Sequence, residues 1–87
     1  MEAKEEVLLY PLHTEKALAY IEKYNTLVFI VRRTATKLEI KEEFEKRFGV
    51  KVEEVRTLIT PRGEKKAFIK LKKDYSASEI AIKLGIL

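Results

Sequence analysis

The chain has 87 residues, no cysteine and a formal charge of +4, so neither a disulfide nor a thiolate metal site can brace its small core. No apolar run approaches the ~20 residues a helical bilayer span needs, which excludes membrane insertion of that kind. The charged start, Met1-Glu2-Ala3-Lys4-Glu5-Glu6, is wrong for a signal peptide, and the sequence reads as cytoplasmic.

Val7-Leu8-Leu9-Tyr10 is a short apolar run stopped by Pro11 and is expected as a short strand or extended arm. His13-Thr14-Glu15-Lys16 opens a helix, with Thr14 as N-cap and Glu15 in the first turn. Ala17, Leu18, Ile21 and Tyr24 recur at helical spacing and predict its apolar face; Asn25-Thr26 ends it. Leu27 to Val31 is continuously apolar and rich in β-branched residues, as in a central strand or one covered on both faces. Arg32-Arg33-Thr34 closes it. Thr36 and Glu39 then form a capping box, in which each side chain accepts the other's backbone N–H. Ile40, Phe44 and Phe48 follow as a core stripe, Glu42 faces Lys46, Glu43 faces Arg47, and Gly49 suits a left-handed helix end.

Val50 to Thr60 reads as a long strand whose alternation slips at Glu53-Glu54, as a β-bulge would make it. After a Pro61-Arg62-Gly63 turn, Ala67, Ile69 and Leu71 share one face, and Lys66, Phe68, Lys70 and Lys72 the other. Ser76 and Glu79 suggest a second capping box before Ala77, Ile80, Ala81 and Leu84; Gly85 ends that helix, with Ile86 folding back. The order β-α-β-α-β-β-α predicts an α+β fold, a four-stranded, mainly antiparallel sheet with three helices, residues 1–87 forming one domain. The slip leaves open which sheet face is exposed.

Charge is concentrated in one place. Residues 55–73 carry Arg56, Arg62, Lys65, Lys66, Lys70, Lys72 and Lys73 against Glu64 alone, a net +6, whereas the segments on either side are each −1. Catalysis has little to work with. His13 is the one histidine and has no nucleophile beside it in the sequence. Glu42-Glu43 and Glu53-Glu54 are neighbours that point apart, and the three glycines make no phosphate-cradling loop. No enzyme activity, metal or other cofactor is expected. Nucleic-acid binding fits better, since clustered cations release phosphate counterions. Phe68, between Lys66 and Lys70, either packs under a helix or offers a stacking ring. The aromatic slots of the RNA recognition motif's core octamer are not filled after Arg62-Gly63.

Several segments in order point to something more specific: His13-Thr14-Glu15-Lys16-Ala17, Ala35-Thr36-Lys37 with Ile40-Lys41, Phe48-Gly49-Val50-Lys51-Val52 and Val55-Arg56-Thr57-Leu58. Pro61 to Ala67, Tyr75 to Ala81 and Lys83-Leu84-Gly85 complete the series. Over nearly its whole length the chain resembles the large-subunit ribosomal protein family twenty-three, in its archaeal form. The resemblance implies a non-enzymatic protein bound to large-subunit (23S) rRNA beside the polypeptide exit tunnel. It would help form the docking platform for the signal recognition particle and nascent-chain factors. A neighbour from the ribosomal protein twenty-nine family, contact with the nascent polypeptide, and a monomeric state within the ribosome are implied with it. It carries over Thr14, Lys16, Thr36, Lys37, Lys41, Arg56, Arg62, Lys65 and Lys66 as rRNA-contacting positions; Lys70, on the basic face of the last strand, joins them. Bacterial relatives have a longer extension between the hairpin strands, so lining of the inner tunnel does not transfer to this short turn. The competing expectation is a stand-alone α+β interaction module that binds an acidic protein or another RNA.

Overall fold

The computed structural model describes residues 6–87, in the order β1 (Leu8–Pro11), α1 (Glu15–Tyr24), β2 (Thr26–Val31), α2 (Lys37–Phe48), β3 (Val52–Ile59), β4 (Lys65–Leu71) and α3 (Ala77–Leu84). The acidic Met1–Glu5 start, used above against a signal peptide, lies outside the described residues. Among them, the four strands form one sheet in the order β1-β2-β4-β3, with each neighbouring pair antiparallel. Fold class and element order are as the sequence predicts.

Helix starts follow local chemistry. The Thr14 hydroxyl accepts from the Ala17 amide at 3.2 Å. At α2 both halves of the capping box form, Glu39 N–H to Thr36 Oγ1 at 3.1 Å and Thr36 N–H to Glu39 Oε1 at 2.9 Å. The second expected box is only half made. Ser76 Oγ accepts from the Glu79 amide at 3.2 Å, but the first helical N–H, from Ala77, goes to Asn25 Oδ1 at 2.8 Å. That bond reaches across the fold. Asn25 ends α1 in the left-handed conformation, φ 54°, and its amide also donates to the carbonyls of Tyr75 (2.9 Å) and Leu71 (3.4 Å). One asparagine thereby ties the α1–β2 junction to the β4–α3 junction. Ile86 does fold back over α3, its N–H reaching the Ala81 carbonyl at 3.0 Å.

The register resolves the two sheet faces. Leu8, Leu27, Phe29, Val31, Val52, Ala67, Ile69 and Leu71 face the helices and meet Ile21, Ile40, Phe44, Ala77, Ile80 and Ala81 in the main core. Each large side chain so buried contributes roughly 1.5–3 kcal/mol. The expected bulge lies between Val52 and Glu54; the extra residue, Glu53, lets Val52 and Val55 both turn inward. Strand β2 is central, and all six of its residues are buried. On its second face Val28 is covered from the side of α1, where it shares a cleft with Leu12 and Tyr20.

The short first strand ends at Pro11, opposite Phe29, as expected; on an edge strand its missing N–H costs no ladder bond. Two expectations need correction. Strand β3 begins at Val52, not Val50, because Gly49 turns the chain at φ 66° after α2. Tyr24 does not join the apolar core: it is 56% exposed and its ring lies against Tyr20.

Candidate nucleic-acid interface

The basic hairpin is closed by its own backbone. Thr60 O accepts from Gly63 N–H (2.8 Å), and Thr60 N–H donates to Glu64 O (2.8 Å), leaving Pro61, Arg62 and Gly63 as the loop. Pro61 presets the first turn position, and Gly63, at φ 85°, takes the left-handed position a three-residue hairpin requires. Arg62 stands exposed at the tip. The Arg33 guanidinium, from the end of β2, comes within 3.7 Å of where a Cβ on Gly63 would lie. From β1 the Tyr10 phenol donates to Glu64 Oε2 at 2.8 Å, which pins the base of the turn and, chiefly through that bond, raises the phenol's pKa.

The sheet face away from the main core collects half of the expected site. Across the β3–β4 ladder Arg56 opposes Phe68, Leu58 opposes Lys66 and Glu54 opposes Lys70. The Arg56 guanidinium carbon lies 5.5 Å from the centre of the Phe68 ring, a cation–π distance. Tyr20 approaches Phe68 at 5.1 Å between ring centres, so α1 packs on one part of a half-buried Phe68 while Arg56 lies over it. Thr14 and Lys16 join Leu58, Lys66 and Phe68 around a cleft of about 220 Å³. Thr14, Lys16, Arg56, Lys66 and Lys70 therefore belong to one surface.

Thr36, Lys37, Lys41 and Lys65 do not lie on it. The first three sit at the start of α2, across the sheet. The Thr36 hydroxyl is occupied as a cap. Lys65 shares the inward phase of Ala67 and Ile69, is half-buried, and donates its Nζ to the Ala35 carbonyl at 2.7 Å. That ammonium staples the hairpin to the start of α2.

Ion pairing among the described residues is confined to two arginines. Among the described residues the ion pairs are Arg32–Glu39 (3.3 Å), Arg47–Glu43 (3.4 Å) and Arg47–Glu6 (3.6 Å), all around α2. Lys16, Arg56, Arg62, Lys66 and Lys70 form none there. Their charge is left for an anion from outside, while the carboxylates of α2 are partly neutralised at home.

Sequence reasoning overlooked Arg33, Tyr20 and Tyr24. The tyrosines stand four residues apart on one helix, a spacing that puts their rings side by side and was legible. Arg33 could not be found without the register that brings the end of β2 to the hairpin turn. His13 is exposed, and among the described residues no three His, Asp or Glu side chains gather as metal ligands. No helix among them is long and apolar enough to cross a membrane.

The family model described as Ribosomal protein L23 matches residues 6–82. The chain thus belongs to the ribosomal protein L23 family and is a large-subunit ribosomal protein acting in translation, in a class whose role is structural.

Proposed function

We propose that this ribosomal protein binds large-subunit rRNA beside the polypeptide exit tunnel through the open sheet face and the β3–β4 hairpin tip. The observation that carries this reading is a cluster of cations, Lys16, Arg56, Lys66, Lys70 and Arg62, that lie on or beside one surface and enter no ion pair among the described residues. Each phosphate they neutralise releases condensed counterions, which drives association without reading sequence. Thr14 lines the same cleft; its hydroxyl oxygen accepts from the Ala17 amide as a cap, which leaves its O–H to donate to the rRNA. Lys37 and Lys41, on the first turns of α2, form a second contact across the sheet. The two patches suit an rRNA fold that wraps the hairpin end of the domain.

The three-residue loop makes the hairpin a docking element and not a long arm, so it contacts rRNA at the tunnel exit without lining the tunnel's interior. The later part of α2, where Arg47 pairs with Glu43 and Glu6, is the side offered to the signal recognition particle, to nascent-chain factors and to a ribosomal protein of family twenty-nine.

In a sucrose gradient at moderate salt the protein should travel with the large subunit; a protein left at the top would overturn the reading. Changing Arg62, Lys66 and Lys70 together to Ala should lower the salt slope of rRNA-fragment binding by ~2, at ~0.7–0.9 per lost phosphate contact. An unchanged slope would remove the hairpin from the interface.

A further inference from the structure

Phosphate binding leaves part of the open sheet face unused. Tyr24, Tyr20, Phe68 and Arg56 follow one another as a run of flat groups, with ring centres 5.3 and 5.1 Å apart and Arg56 5.5 Å from the Phe68 centre. At its outer end Tyr24 is more than half exposed. Tyr24, Thr26, Glu54, Arg56, Phe68 and Lys70 line a cleft of about 330 Å³. That is near the lower limit of small-ligand pockets, ~300 Å³, which suits one planar ring system and no folded partner.

The lining is chemically mixed in an informative way. Aromatic faces and a guanidinium plane are what an unstacked base lies against. Lys70 supplies a cation for a flanking phosphate. Glu54 is out of place on a surface meant only for phosphates, because a carboxylate repels them. It is useful if something presents N–H donors there. Thr26 has its hydroxyl committed to the Tyr24 carbonyl at 2.9 Å and holds the cleft's inner wall.

We infer that this cleft is a subsite for a single unstacked guanine of the rRNA, its ring against Tyr24 and Arg56 and its Watson–Crick edge on Glu54. Guanine alone among the four bases sets two neighbouring N–H donors, at N1 and N2, against the two oxygens of one carboxylate. Adenine and cytosine place an acceptor nitrogen beside their amino group, and uracil flanks its N–H with two carbonyls. The inference rests on the rRNA-binding reading above, but base identity is its readout and not charge.

The pentanucleotides UUGUU, UUAUU, UUCUU and UUUUU carry equal charge and separate the two. Titrated against the full chain and followed by fluorescence anisotropy and NMR shifts of the aromatic protons, UUGUU should bind at least about fivefold tighter than UUUUU. Tyr24→Ala should lose about fivefold or more of UUGUU affinity at an unchanged salt slope, and Glu54→Gln should abolish the preference for guanine. Both side chains are exposed, so both variants keep the fold. Equal affinity for the four sequences, a preference for another base, or a guanine preference that survives Glu54→Gln would overturn the subsite. Phosphate binding, read from the salt slope, would then stand or fall by itself.

Discussion

Asn25→Ala removes the side chain that joins two chain reversals, and its cost can be worked bond by bond. The bonds to the Tyr75 carbonyl (2.9 Å) and from the Ala77 amide (2.8 Å) are short; the one to the Leu71 carbonyl, at 3.4 Å, is weak. Two sound hydrogen bonds contribute about 2 kcal/mol together. Alanine must also hold φ 54°, which costs a further ~1 kcal/mol. The loss should be about 3 kcal/mol, or a fall in Tm of roughly 12–24 °C for a domain of this size. Asn25→Gly loses the same bonds but accepts the left-handed conformation without strain, so it should be milder by ~1 kcal/mol. Urea unfolding followed by circular dichroism measures both. Equal losses for the two variants would refute the strain contribution, and a loss below ~0.5 kcal/mol in either would refute the bridging role.

Lys65 and Lys66 are neighbours with opposite duties. Lys65→Ala should cost ~1.5 kcal/mol of stability, measured by urea unfolding, with little change in the salt slope of rRNA binding, while Lys66→Ala should lower that slope by ~0.7–0.9 at nearly constant stability. The Glu39 carboxyl is held below its usual 4.5, first by the Thr36 amide and further by Arg32. Its stabilising effect is complete above the unfolded value and is lost as pH falls through the lower folded value. An NMR titration should find its midpoint below 4.5, and Glu39→Gln should flatten the acid limb of the stability curve. Tyr10 has the opposite sign: its bond to Glu64 raises the phenol above 10.0, so that contribution is present below 10.0 and is lost as pH rises through the folded value. In Glu64→Gln the ultraviolet titration midpoint should move down toward 10.0.

Features that depend on a few consecutive residues were legible in the sequence. The Thr36–Glu39 box, the bulge at Glu53 and the outward phase of Lys66, Phe68 and Lys70 all stand where local pattern placed them. Features that depend on two distant segments were not. Asn25 reads as an ordinary helix terminator until β4 and α3 are brought beside it. Tyr24 has core spacing on α1, yet its ring lies against Tyr20, which meets Phe68 on the sheet face away from the core. The phase that put Ala67 and Ile69 inward also put Lys65 inward, a deduction that its charge obscured. Of the expected contact residues, the sheet gathers Thr14, Lys16, Arg56, Lys66 and Lys70 and separates Thr36, Lys37, Lys41 and Lys65: strand parity puts Lys65 opposite to Lys66 and Lys70, and the packing of α2 on the core face takes the other three with it.

The strand order β1-β2-β4-β3 also sets a timetable for synthesis. The β3–β4 hairpin closes over three residues and can form as soon as it is made, but β2 pairs with β4 across all of α2 and β3. Until β4 emerges, Leu27-Val28-Phe29-Ile30-Val31 lacks its central partner, and a short, uncharged, β-prone segment of this kind is an aggregation hazard. Arg32 and Arg33 follow it immediately, and like charge at that position would repel neighbouring chains during that interval. Replacing both with Ser should raise light scattering during refolding from urea, and unchanged scattering would deny them that duty. Growing chains would then be protected by the same pair of arginines that, once folding is complete, stand beside α2 and the hairpin turn.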